Sequence, residues 1–115
     1  MAEAAKISCS TMFKEAVRLK ELRDYLIDFI LSEVTGARLT GDPVFRLANN
    51  ASFVFEGVRG EELLQLLDLF GISCSTGSAC ETGSDEPSHV LKAIGLSDEE
   101  ANGSLRLTLG KDTTR

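Results

Sequence analysis

Gly71-Ile72-Ser73-Cys74-Ser75-Thr76-Gly77-Ser78-Ala79-Cys80-Glu81-Thr82-Gly83-Ser84-Asp85-Glu86-Pro87-Ser88-His89-Val90-Leu91 is the stretch on which the reading of this chain turns. Gly71 ends an apolar segment, and Ile72 to Cys74 has the form of a short strand. From Ser75 to Glu86 the run is rich in Ser, Thr and Gly and loses all apolar period. Loops of that length inside compact domains are usually functional. Gly77 and Gly83 supply backbone freedom. Cys80 lies between them among small polar residues, where a thiol is expected to be exposed. A structural cysteine sits among apolar neighbours instead. The residues alone leave two readings of Cys80 open: a reactive thiol, or an exposed thiol with no role. Pro87 suits the first position of a short helix reaching about Ile94.

Working outward, the apolar residues Leu63, Leu64, Leu66, Leu67 and Phe70 predict a helix over Glu61 to Phe70, ended by Gly71. Before it, Ala51, Phe53 and Phe55 alternate with Ser52 and Val54, which predicts a strand over Asn50 to Phe55. A shorter strand is expected over Ala37 to Leu39. Asn49 and Asn50 suit the turn into the longer one. Leu22, Tyr25, Leu26, Phe29 and Ile30 recur at helical spacing and predict a first helix from Met12 to about Val34, capped by Ser10 or Thr11 and ended by Gly36. Downstream, Ser97-Asp98-Glu99-Glu100 has the form of a capping box. Ser104 to Leu109 then alternates as a strand, with Leu105, Leu107 and Leu109 on one face and Ser104, Arg106 and Thr108 on the other. Short strands mixed with helices, without a regular parallel alternation, give an α+β class. Lys111-Asp112-Thr113-Thr114 reads as a helix start, and both ends read as cut from something larger.

The chain has 115 residues, which is one domain by length, and a net charge of -6. An acidic balance argues against nucleic acid, whose phosphates require clustered Lys and Arg, and against an anionic membrane surface. No apolar run is long enough to span a bilayer, and Met1 to Lys6 lacks the basic start and apolar core of a signal peptide. A cytoplasmic protein is expected. Its three cysteines, Cys9, Cys74 and Cys80, are then free thiols rather than a disulfide framework. Their spacing with His89 matches no common zinc pattern, so no metal site is expected. His89 reads as a packing or helix-end residue, Cys74 as core, and Cys9 as an exposed thiol before the first helix. The glycine loop lacks the lysine and spacing of a P-loop.

The run from Gly71 to Leu91 closely resembles the active-cysteine loop of the cysteine desulfurases, in the class V aminotransferase family. Ser104-Leu105-Arg106-Leu107-Thr108-Leu109-Gly110-Lys111 resembles their SIRxSLGR strand, and Arg46-Leu47-Ala48-Asn49-Asn50 their RLPNN entry. The loop form is that of the group with the long cysteine loop. The resemblance implies the small C-terminal domain of a fold-type I enzyme that uses pyridoxal phosphate (PLP), with a short, mostly antiparallel sheet packed with helices. It implies that Cys80, as a thiolate, takes sulfur from L-cysteine as a persulfide. That sulfur passes to an iron–sulfur scaffold or another sulfur-acceptor protein, for clusters or thiolated cofactors and RNA. It implies that Arg106 grips the substrate carboxylate, a role that suits a bidentate guanidinium. Thr76 is a weaker candidate for contact with the PLP phosphate of a partner subunit in a homodimer. Glu81 departs from the Ser or Thr usual beside the nucleophile, and a carboxylate there opposes the thiolate by like-charge repulsion. Ala48 replaces a usual proline. The PLP lysine belongs to the family's large domain, so this chain alone is expected to bind no PLP and to be inactive. A different reading makes it a binding or persulfide-carrier module that docks a scaffold protein.

Overall fold

The computed structural model describes residues 1–76 and 87–115. Its elements run α1 (Ala2–Glu33), β1 (Ala37–Leu39), β2 (Asn50–Phe55), α2 (Gly60–Leu69), α3 (His89–Ala93), α4 (Asp98–Asn102) and β3 (Ser104–Thr108). The strands form one antiparallel sheet in the order β1-β2-β3. This is the α+β class expected from helices and short strands mixed without a regular parallel alternation, with the short antiparallel sheet that the resemblance implied.

Register places the side chains. Phe53 lies opposite Leu39 on one side and Leu105 on the other, and Ala51 opposite Leu107. That face receives α1: Ile27, Ala51 and Phe53 form the buried cluster, with Leu26, Ile30, Leu39, Phe55 and Leu107 packed around it. The other face carries Ser52, Val54, Ser104 and Arg106. At one end of that face α2 packs on β3 and α4 on β2, burying Val54 and Ser104 to 4% and 2% exposure.

Several boundaries differ from the sequence expectations. Helix α1 begins at Ala2 rather than Met12. Residues 2–6 are good helix formers with no Gly or Pro to stop them. Ser10 and Thr11 lie inside the helix and donate their hydroxyls back to the Ile7 carbonyl, at 2.8 and 3.0 Å, instead of capping. Its inner face also differs. Arg23 and Ile27 are buried, whereas Tyr25 and Phe29 are 45% and 53% exposed and stack on each other. Gly36 does end the helix region, at φ 79°. Residues 72–74 form no strand; only Ser75 makes a bridge to the sheet. Helix α3 starts after Pro87, with Ser88 (φ -51°, ψ 119°) as its cap residue. The capping box at α4 has both arms in place. After β3, Gly110 to Thr113 makes a turn rather than a helix start: the Gly110 amide donates to Thr113 Oγ1 at 2.9 Å, and the Thr113 amide to the Gly110 carbonyl at 3.1 Å.

Candidate functional site

β3 holds Arg106 from both edges. On one side it lies opposite Ser52 in the β2–β3 ladder. On the other, its carbonyl accepts from the Ser75 amide at 3.0 Å, and its own amide donates to the Ser75 carbonyl at 2.6 Å. The backbone of Arg106 is thus fixed by pairing on two sides, while its half-buried side chain lies on the face away from α1. Among the described residues the guanidinium makes no hydrogen bond or ion pair. A cation so placed is a ready partner for an anion, and its two-pronged geometry fits a carboxylate.

The Ser75 bridge also decides where Thr76 sits. Thr76 is half-buried, and its methyl faces Gly60 at the start of α2, 3.0 Å from where a Cβ on that glycine would lie. Two of the sequence-predicted residues, Arg106 and Thr76, are therefore brought to the same strand edge. The third, Cys80, lies outside the described residues, as do Gly77, Glu81 and Gly83.

The remaining thiols are placed. Cys74 is half-buried but outside any strand. Burial pushes its thiol up, and the charge of Asp68 adds to the shift. Both effects deplete the thiolate at neutral pH. Cys9 is exposed as expected, but within α1 rather than before it. His89 is the first residue of α3, a helix-end position. Among the described residues no group of three His, Cys, Asp or Glu side chains could hold a metal ion. Among them, too, no helix is long and apolar enough to cross a membrane. An open groove lined by Arg38, Val54, Glu56, Arg59 and Glu100 contains none of the candidate residues.

Three positions escaped the sequence reading. Arg23, 2% exposed, donates to the Leu47 carbonyl at 2.9 Å and to Asp24 at 2.9 and 2.5 Å. It thereby ties α1 to the loop that delivers Asn49 and Asn50 to β2. Its spacing to Leu26, Ile27 and Ile30 was the available signal, since i, i+3, i+4, i+7 share one helix face. Arg18 donates to the carbonyls of Gly110, Lys111 and Thr113, and no pattern in the sequence pairs it with them. Gly60 is the third.

PLP fits this chain in part. Lys20 and Lys92 are engaged in exposed ion pairs with Asp24 and Asp98 at 2.7 and 2.8 Å. The chain offers instead the Arg106 guanidinium and the Thr76 hydroxyl, groups suited to a carboxylate and a phosphate oxygen.

The family model of aminotransferase class V matches residues 1–115. Among curated proteins, the chain is 50% identical over 111 residues to an IscS-like cysteine desulfurase of Mycobacterium tuberculosis, covering 96% of this chain and 28% of that protein. It is 47% identical to the cysteine desulfurase IscS of Dictyoglomus turgidum, covering 100% of this chain and 29% of that one. Among solved structures, a NifS-like protein superposes with a TM-score of 0.83 at 29% identity, covering 98% of this chain and 27% of the other. DndA from Streptomyces lividans gives 0.64 at 32% identity, covering 93% and 29%. The chain spans less than a third of the length of each of these relatives.

Proposed function

Because the chain belongs to the aminotransferase class V family, we propose that it is the small C-terminal domain of a PLP-dependent cysteine desulfurase. The observation that carries this is the Ser75–Arg106 bridge. It joins the strand bearing a half-buried guanidinium, unpaired among the described residues, to the first residue of the Ser/Thr/Gly run that contains Cys80. A carboxylate-binding group and a thiol are what desulfuration of an amino acid needs from this side of the site.

Arg106 binds the carboxylate of L-cysteine and orients its sulfur. Cys80 acts as a thiolate, since the thiol attacks poorly. Its Sγ forms an S–S bond with the substrate sulfur as the substrate C–S bond breaks. The electron pair of that bond stays on the substrate carbon, which takes up a proton, so alanine leaves and Cys80 carries the persulfide. PLP supplies the electron sink that makes this bond cleavable, and its lysine lies in the large domain. Thr76 serves a phosphate oxygen of the cofactor on the partner subunit, which makes the working enzyme a homodimer. The persulfide passes to an acceptor protein in the cytoplasm, for iron–sulfur clusters or thiolated cofactors and RNA. The chain by itself binds no PLP and is inactive.

The test is mass spectrometry of the complete enzyme after incubation with cysteine. Cys80→Ser abolishes the added sulfur while PLP stays bound; Cys74→Ser and Cys9→Ser each retain it. Persulfide and alanine at the wild-type rate in Cys80→Ser would transfer the role to Cys74.

A further inference from the structure

We propose that Gly60 is a positioning residue for Arg106, acting by leaving room for the Ser75–Arg106 bridge; this rests on the reading of Arg106 as the carboxylate ligand. Gly60 is the first residue of α2 and is buried. Its φ lies outside the left-handed region, so backbone conformation does not demand glycine there. Space does. A Cβ at position 60 would lie 2.2 Å from the Ser104 carbonyl oxygen, 3.0 Å from Thr76 Cγ2 and 3.1 Å from the Asn102 carbonyl oxygen.

Two of these neighbours flank the bridge. Ser104 is two residues before Arg106 on β3, and Thr76 directly follows Ser75. The Ser104 contact is with backbone inside a paired strand, which cannot swing aside as a side chain can. A methyl group at position 60 must therefore lift the start of α2 or displace β3 at Ser104, and it presses on the 75–76 segment through Thr76 Cγ2 as well. Of the parts so strained, the 75–76 segment has the weakest hold, a single bridge of two hydrogen bonds between Ser75 and Arg106, so a shift of β3 or α2 breaks that bridge first. β3 is paired with β2 along its whole length. Losing the bridge frees one edge of Arg106 and loosens the aim of its guanidinium.

The experiment compares the complete enzyme with Gly60→Ala, Arg106→Ala and the double variant, and adds Ser75→Pro. The last removes the Ser75 amide that donates to the Arg106 carbonyl without touching Gly60, and covers the case in which Gly60→Ala fails to fold. Gly110→Ala is the control, because among the described residues a Cβ there meets only Thr113 Oγ1, at 4.0 Å. Gly60→Ala and Ser75→Pro each raise KM for cysteine roughly five- to tenfold, the equivalent of about one hydrogen bond. They leave kcat within about twofold, as loss of uniform substrate binding requires. Gly110→Ala changes neither. In the Arg106→Ala background, Gly60→Ala adds nothing further to KM, because both act through one guanidinium. Additive KM effects, or an unchanged KM in both Gly60→Ala and Ser75→Pro, would overturn the inference while leaving the function intact. An unchanged KM in Arg106→Ala would sink the carboxylate reading itself, and this inference with it.

Discussion

The buried arginine of α1 shows how one residue organises its surroundings. Arg23 is 2% exposed while its counterion Asp24 is 41% exposed. Burial works against the Asp24 carboxylate, but hydrogen bonds from Lys20 and Arg23 outweigh it and hold its carboxyl below the usual range. Arg46 stands nearby. Burial and then the charge of Arg23 push its guanidinium down, with Asp24 and Asp42 opposing. One Arg46 nitrogen, Nη1, is buried without a partner among the described residues. Asp24 therefore faces three cations, Lys20, Arg23 and Arg46, and its loss leaves the buried charge of Arg23 uncompensated. Removing one partner of such a pair costs more than removing both. Asp24→Ala is expected to destabilise this chain by about 1 to 2 kcal/mol, below the fully buried range because Asp24 is partly solvated. Adding Arg23→Met should recover part of that loss, since an apolar side chain of similar length needs no counterion. Urea unfolding of the single and double variants measures both; a double variant less stable than Asp24→Ala would refute the account. At this scale the sequence was readable where a residue type has one use. Arg106 was reached through the resemblance of its strand to the SIRxSLGR run, with the alternation giving only its face. Arg23 was hidden because charged residues on helices are ordinarily assigned to solvent, and Gly60 because what constrains it comes from residues 76, 102 and 104 in space.

Among the elements, helix α4 was the most legible, because its stop and start signals are local. Ser97 Oγ accepts from the Glu100 amide at 3.2 Å, and Glu100 accepts from the Ser97 amide at 2.8 Å. The strands were legible for a related reason: alternation over five or six residues is set by the pleat alone. Helix α1 and the 72–74 segment were misjudged where local signals compete. Ser10 and Thr11 look like caps but satisfy their hydroxyls against Ile7 inside a helix. Ile72 to Cys74 has strand composition, yet only the bridge at Ser75 reaches β3. The capping box carries a pH dependence. Hydrogen bonds from the Ser97 backbone and side chain, then Arg38, hold the Glu100 carboxyl below its usual range. A depressed pKa in the folded state contributes stability above the unfolded value and loses it as pH falls through the folded one. Ser97→Ala should cost about 1 kcal/mol at neutral pH. The stability gap between the natural chain and Glu100→Gln should narrow as pH drops from about 5 to about 3. A gap that stayed constant over that range would show that the charge of Glu100 contributes nothing to the helix.

Across the whole molecule, the long first helix sets the shape and holds the far end of the chain. The radius of gyration is 15.1 Å, against about 13 Å for a compact domain of this length. α1 contributes to the excess: its 32 residues, rising about 1.5 Å each, are enough to run the whole 42 Å of the longest extent. Its first half leaves Ile7, Met12, Phe13 and Val17 exposed. Composition could not reveal this, because the apolar residues of that half read like those of a core. Where α1 does meet the rest, Arg18 is the fastener. Nη1 donates to the Thr113 carbonyl at 2.7 Å, and Nη2 to those of Lys111 and Gly110 at 2.9 and 3.2 Å. Glu15 accepts from the same guanidinium at 2.8 Å and orients it. The contacts cross more than ninety positions of sequence, between 92 and 95, so no local pattern could have announced them. They also fix the segment just beyond β3, where the turn from Gly110 to Thr113 has only two hydrogen bonds of its own. Arg18→Ala should therefore speed amide exchange at Gly110 and Thr113 by about tenfold or more, while the paired amides of β2 and β3 keep their protection. Arg18→Lys should restore little, since an ammonium is a point donor and cannot span three carbonyls at once as the planar fork does. Exchange measured by NMR on the three proteins separates the cases. Full protection at Thr113 in Arg18→Ala would mean that the turn is self-sufficient and that α1 holds the sheet through its apolar face alone.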